Sequence, residues 1–166
     1  KALLGQAGVP FLPEGLAGSS EEAGRLADKI GYPVVMKIVS ADIEHKTEIG
    51  GVLVGVSDRD GVVEGYRTLR ARAAEHRPDA RIDGVLVAPM AGKGVETIIG
   101  VSSDPVFGPA VMFGLGGVHV EVLKDVTFRL APFNRDEAMR MIDDIRGRAL
   151  LSGVRGAPPS DVDALA

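Results

Sequence analysis

The sequence predicts an α+β protein of two lobes. Three observations carry the prediction: short β-branched apolar runs that read as strands, longer stretches with helical spacing and capping residues, and a grouping of both into two sets that split near residue 88. The sets span residues 1–87 and 88–166.

Residues 1–8 read as the end of a helix that Gly8 stops ahead of Val9-Pro10. Ser19 and Glu22 have the spacing of a capping box, and Ala23, Leu26, Ala27 and Ile30 recur at helical spacing until Gly31. Pro33 opens Val34-Val35-Met36-Lys37-Ile38-Val39, too short and too β-branched for a helix, and so a strand buried on both faces. Residues 40–50 are polar and irregular, and Gly50-Gly51 lead into a second strand over 52–56. The next helix sets Val62, Tyr66, Leu69 and Ala73 on one face and arginines on the other. Residues 85–90 and 95–101 flank Ala91-Gly92-Lys93-Gly94 and read as strands, as do 110–113 and 126–130. Asn134 and Glu137 cap a helix with Ala138, Met141, Ile142 and Ile145 inward, ended by Gly147. Ser160 with Asp163 starts a last helix that reaches barely one turn by Ala166. A helix so short does not stand alone, and with the mid-helix beginning it predicts a piece of a longer polypeptide, truncated at the C-terminus.

Composition narrows the function classes. The chain has 166 residues, 45% hydrophobic and 25% charged, enough apolar material for a core. Its 19 basic and 23 acidic residues give a net charge of -4, and no basic block suggests nucleic acid or an anionic membrane surface as partner. The absence of cysteine excludes disulfides, thiolate metal sites and thiol catalysis, and fits a cytoplasmic protein. No apolar run approaches the roughly 20 residues that span a bilayer, and the N-terminus is not a signal peptide. Twenty-two glycines against 4% aromatics point to backbone that turns tightly or comes close to a ligand.

Four places could carry chemistry. Lys37 alternates with Val35 and Val39 in an apolar strand, where it either meets an anion or snorkels from an edge. Glu44-His45-Lys46-Thr47, followed by Gly50-Gly51, combines a histidine, a lysine and a glycine pair between strands. Glycine amides and a lysine suit phosphates, and neutral imidazole is a nucleophile toward a phosphoryl group; a solvated loop histidine is the alternative. Glu96 falls mid-strand, on the face of Ile98 and Gly100, and needs a ribose hydroxyl, a metal or a salt-bridging arginine. Gly114-Leu115-Gly116-Gly117 lacks the following Gly-Lys-Ser/Thr of a P-loop and the spacing of a dinucleotide fold, so a hairpin turn explains it equally well. Just beyond lie Glu121, Asp125 and Arg129, the last sharing a face with Thr127 and aimed either at an oxyanion near the glycines or at solvent. His76 and His119 stand alone and make no metal site.

Taken together these segments form a pattern. Tyr32-Pro33-Val34-Val35-Met36-Lys37, His45-Lys46-Thr47 and Ile49-Gly50-Gly51-Val52 resemble the opening of the ATP-grasp domain of ADP-forming acetyl-CoA and acyl-CoA synthetases. The resemblance continues through Gly94-Val95-Glu96-Thr97-Ile98-Ile99-Gly100, Asp104-Pro105-Val106-Phe107-Gly108-Pro109 and Met112-Phe113-Gly114-Leu115-Gly116-Gly117. It extends over residues 121–129 and Leu151-Ser152-Gly153-Val154-Arg155-Gly156, and so covers nearly the whole chain in order.

The resemblance implies an ATP-grasp fold, two α+β lobes with a nucleotide cleft between them, using ATP/ADP and Mg²⁺. It implies that adenine lies near the hinge residues Val87, Ala88 and Met90, and that Lys37 contacts the phosphates. By the same likeness Lys46, Gly50 and Gly51 belong to a phosphate-covering loop, and His45 is transiently phosphorylated between an acyl phosphate site and the nucleotide. Glu96 would stand near the ribose and phosphates, with Gly116, Gly117 and Arg129 completing the nucleotide-binding set. The partners implied are CoA-binding and acyl-transfer domains or a subunit of the same enzyme, in a homo- or hetero-oligomer, with the isolated fragment inactive. Two departures stand out: Ala88 replaces the amide or acid of many relatives, and the acidic residue and asparagine that hold Mg²⁺ are not found before Ala166, so the metal ligands stay unassigned. A regulatory or structural copy of such a domain, fused to an acetyltransferase, is the alternative reading. A succinyl-CoA synthetase β chain is a third, expected to have a different loop in place of His45-Lys46.

Overall fold

In the computed structural model, which describes residues 1–117, 124–154 and 156–166, the chain divides into two compact units, Lys1–Gly92 and Lys93–Ala166. His119, Glu121 and Arg155 lie outside the described residues. The sequence-based division between residues 87 and 88 falls inside a strand that is paired along both edges in the first unit, which keeps that strand whole on one side.

The first unit contains α1 (Ala2–Gln6), β1 (Gly15–Ala17), α2 (Ser20–Ile30), β2 (Val34–Val39), β3 (Val52–Val56), α3 (Arg59–His76) and β4 (Gly84–Pro89). The strands form one antiparallel sheet in the order β1-β4-β2-β3. Ser19 caps α2 by accepting a bond from the Glu22 amide at 3.1 Å. The return arm of the box is displaced by one residue, because the Glu22 carboxylate accepts from Gly18 N–H at 2.7 Å. Asp58 caps α3 through the Gly61 amide at 2.8 Å. Both helices cover a single face of the sheet. Val34, Met36, Ile38, Val85 and Val87 pack there against Ala23, Ala27, Val62, Tyr66, Leu69 and Ala73. An extra residue in β3, between the Val34–Val56 and Met36–Leu53 pairs, forms a bulge at Gly55, whose φ of 73° suits glycine.

Only half of the expectation for β2 therefore holds. Its burial alternates: Val34, Met36 and Ile38 are buried, Val35 and Val39 half-buried and Lys37 exposed. The strand is covered on one face within its unit.

In the second unit, β5 (Thr97–Asp104), β6 (Gly108–Leu115) and β7 (Val126–Leu130) form an antiparallel sheet in sequence order. With α4 (Arg135–Asp143), α5 (Arg148–Leu151) and α6 (Val162–Leu165) they bury Phe113, Leu115, Met141, Ile142, Ile145 and Leu151. Asn134 caps α4 through the Glu137 amide at 3.0 Å. The helix stops at Asp143, so Ile145 reaches the core from beyond its end. The last helix is capped by Asp161, bonded to the Ala164 amide at 3.0 Å, rather than by Ser160. A carboxylate reaches the third amide as well as a hydroxyl does, and the motif shifts by one position. Replacing the fully buried Leu69 by alanine is expected to cost about 2–5 kcal/mol, whereas Val54→Ala at a position 66% exposed should stay within about 0.5 kcal/mol; urea unfolding followed by circular dichroism compares the two.

Candidate functional site

The helices of the first unit leave one face of its sheet open. The strands set Leu16, Val35, Val39, Val52, Leu86 and Ala88 on it, and among the described strand residues Lys37 is the one charged side chain there. Lys37 pairs with Leu86 on one side and Val52 on the other, so its ammonium rises from the middle of an apolar surface. Val87 points the opposite way. Its side chain is fully buried under the helices, so at the expected adenine position it contributes core packing rather than a contact surface. Ala88, on the open face beside Val35, and Met90, 39% exposed, remain available. The Met90 amide is spoken for, donating to Pro33 O at 3.3 Å.

The loop between β2 and β3 is closed on itself. The Glu48 amide donates to His45 O at 3.2 Å, Gly50 to Thr47 O at 3.1 Å and Gly51 to Lys46 O at 2.7 Å. Gly50 adopts a φ of 61°, and a Cβ on Gly51 would come within 2.8 Å of both Ile38 Cγ2 and Lys46 O. The glycines are thus required for close approach, and their amides satisfy the loop itself. This corrects the expectation of a nest of free N–H groups for phosphate. The Lys46 ammonium donates to Ile43 O at 3.2 Å and keeps its other donors. His45 is exposed and borders a hollow of about 420 Å³ together with Asp42, Glu44, Glu48 and Arg77. Ile43, almost fully buried, fixes the near end of the loop; Arg72 of α3 donates to Gly50 O at 2.8 Å and fixes the far end. The spacing of polar residues along α3 gave no sign of that partner.

In the second unit Glu96 precedes β5 instead of standing mid-strand, and it is exposed. It does meet the glycine run: the Gly116 amide donates to Glu96 O at 2.7 Å, and a Cβ on Gly117 would lie 3.0 Å from Glu96 Oε2. Gly114 and Leu115 belong to β6, with Gly114 pressed against Asp125 O. Arg129 differs from its expected role as an oxyanion ligand. Its guanidinium is held by Glu137 and Asp144 at 2.5 Å each, and it also donates to Phe128 O at 2.9 Å. Those partners come from α4 and its C-cap, a tertiary contact that strand alternation does not reveal. Asp125 accepts from the Arg146 and Gly147 amides at 2.8 Å and shapes the turn into α5. His76 is exposed at the end of α3, as expected. Among the described residues no group of three or more histidines and carboxylates could hold a metal ion. Nor is any described helix long and apolar enough to cross a membrane.

An α+β framework of antiparallel sheets, one of them carrying Lys37 on its open face and followed by the His45 loop, is the architecture these residues define. The ATP-grasp domain model matches residues 1–166, and the chain belongs to that family. Over 166 residues it is 45% identical to the acetate–CoA ligase [ADP-forming] I subunit beta of Pyrococcus furiosus, covering 100% of this chain and 72% of that subunit. It is also 45% identical to the acetate–CoA ligase [ADP-forming] I of Archaeoglobus fulgidus, covering 96% of this chain and 23% of the relative. The chain therefore spans under a quarter of that longer relative. The Ca. Korarchaeum cryptofilum dinucleotide forming acetyl-coenzyme A synthetase 1, in complex with coenzyme A, Ca-AMPCP and HgCl+, matches with a TM-score of 0.94 at 43% identity, over 99% of this chain and 72% of that chain. Another structure of that synthetase, with coenzyme A and Mg-AMPPCP, matches with a TM-score of 0.83 at 40% identity, over 99% of this chain and 70% of that one, and has its phosphohistidine segment pointing towards the nucleotide binding site.

Two measurements probe the local arrangement. Gly51→Ala should disrupt the loop, since Lys46 O and Ile38 cannot both yield to a Cβ; faster proteolysis or amide exchange within residues 44–50, with the helices intact, checks this. The carboxyl of Glu137 is held below its ordinary value of 4.5, by Arg129 first and Arg140 second. Its contribution to stability is therefore complete above 4.5 and lost as pH falls through the lowered folded value. Thermal melts over an acid series should show that loss, and Arg129→Met should flatten it.

Proposed function

We propose that this chain is the nucleotide-binding module of an ADP-forming acyl-CoA synthetase, working in the cytoplasm with CoA-binding and acyl-transfer domains or a partner subunit. In this reading ATP phosphates approach Lys37 and adenine lies against Ala88 and Met90. An imidazole nitrogen of His45 attacks the γ-phosphorus; a P–N bond forms as the P–O bond to ADP breaks. The phosphoryl group then passes to a carboxylate, giving an acyl phosphate from which the CoA thiol displaces phosphate. Every step is reversible. Mg²⁺ would enter with the nucleotide and neutralise phosphate charge; among the described residues no group of three or more histidines and carboxylates could hold it.

The observation that carries the reading is the placing of Lys37 on the open face of β2 and of His45 on the loop that follows that strand. One is a cation fixed on a strand, the other an exposed imidazole on a glycine-closed loop that leaves the same strand. Phosphoryl transfer asks mainly for alignment and charge neutralisation, and these two features answer it. The likeness to the β subunits over the whole chain supports the same assignment.

Two variants of the full-length protein test it. Lys37→Ala should raise the Kd for Mg-ATP about 10- to 100-fold, the worth of one charge-assisted hydrogen bond; equal affinity by calorimetry would refute the phosphate role. His45→Ala should bind Mg-ATP normally yet take up no label from γ-³²P-ATP and lose turnover. An active His45→Ala enzyme would remove the phosphohistidine step.

A further inference from the structure

The loop that carries His45 is tied to the rigid core at a few points. Ile43 is buried at its start, and Gly51 O accepts from Ile38 N–H at 2.9 Å at its end. The turn bonds within the loop join its own residues to one another and do not set its tilt against the sheet. Ile49 packs against the core cluster, the Asp42 carboxylate accepts from the Arg81 amide at 2.7 Å, and Arg72 supplies a side-chain tie to the loop's far end. It projects from α3 between Leu69 and Ala73, which are both fully buried, so its backbone has nowhere to shift. Its guanidinium donates to Gly50 O at 2.8 Å, and among the described residues it forms no ion pair. Nearby arginines of the same helix are engaged elsewhere: Arg59 with Asp28, Arg67 with Glu64 and Arg70 with Ile82 O. A Cβ at Gly50 would sit 3.1 Å from the Arg72 terminal nitrogen, so the glycine also leaves room for this contact.

We propose that Arg72 is a positioning residue for phosphoryl transfer: by holding the Gly50 carbonyl it sets the orientation in which the loop presents His45. The inference rests on the phosphohistidine reading above. Arg72 touches neither substrate nor imidazole, and it acts through the backbone of the loop. A planar guanidinium bonded to one carbonyl restricts both distance and tilt, which an ammonium on a flexible stem does less well. Misplacing a reacting group by an ångström costs about a hundredfold in rate, so a loosened anchor should be visible in the chemistry before it is visible in the fold.

The test uses the full-length enzyme with Arg72→Met and Arg72→Lys. Single-turnover labelling with γ-³²P-ATP should show His45 phosphorylation slowed at least about tenfold in Arg72→Met and less in Arg72→Lys. The Kd for Mg-ATP should stay within about twofold in both, since Lys37 is untouched. Amide exchange at Glu48, Gly50 and Gly51 should rise in Arg72→Met and fall back in Arg72→Lys. Unchanged labelling rate and unchanged exchange in Arg72→Met would overturn the proposal. So would a matching rise in exchange across α3, which would mark a general loss of stability. If the wild-type enzyme takes no label while exchange in Arg72→Met still rises at the loop, the phosphohistidine reading fails, and with it the catalytic part of the proposal; the anchor alone survives.

Discussion

The first unit depends on a sheet that is buried on one face only. Met36, Ile38, Val85 and Val87 meet α2 and α3 on that face, and small residues let the helices come close. At Gly65 a Cβ would already lie 3.0 Å from Met36 Sδ and Leu53 Cδ1. Side chains alternate along a strand, so burying one set dictates where the other set points. Lys37 thus owes its position to its buried neighbours. A slip of one residue in register would drive its ammonium under the helices and lift Met36 and Ile38 into water. Core packing and the placement of the cation are a single constraint.

That coupling explains how much could be read in advance. Helices with periodic apolar faces and side-chain caps were legible: Ser19, Asn134 and the Val62, Tyr66, Leu69, Ala73 stripe all behave as their spacing implies. Strand direction was legible for Lys37, though the emptiness of its face was not, because an apolar hexapeptide looks the same whether one side or both are covered. The strand near Glu96 begins two residues later than its composition suggests, since Val95 is as β-prone as Thr97 and pairing decides where a strand begins. In the hinge segment, alternation turns the Val87 side chain away from that of Ala88, so the two residues present different groups to the open face.

Tertiary contacts account for the remaining differences. Arg129 does share a face with Thr127, but that face looks onto α4, where Glu137 and Asp144 take the guanidinium and Met141 O accepts from the Thr127 hydroxyl at 2.9 Å. Arg72 was one of several arginines on a polar helix face, with nothing in its spacing to separate it from the rest. Its partner is a backbone carbonyl 22 residues away, and carbonyls leave no trace in a sequence pattern. The glycine pair at 50–51 has a packing reason that spacing does not reveal: a Cβ on Gly51 would press on Ile38 and Lys46 O, and Gly50 takes a positive φ beside Arg72.

On the proposed reading, charge and nucleophile are therefore divided between two kinds of backbone. Lys37 stands on a paired strand and needs no reorganisation to meet a phosphate; its loop counterpart Lys46 already donates to Ile43 O. In open solvent a unit charge pair at 4 Å is worth only about 1 kcal/mol, rising to about 4 kcal/mol where water is partly excluded. The apolar neighbours Val35, Val39, Leu86 and Val52 matter for that reason. A polyphosphate laid on this face displaces water from them and strengthens the one cation they surround. His45 faces the opposite requirement, since a nucleophile that receives a phosphoryl group from one partner and hands it to another must stay exposed. An imidazole packed on the rigid face could serve one site only. Placing it on a self-closed loop tethered at Ile43 and Gly50 keeps it accessible while limiting the orientations it can take.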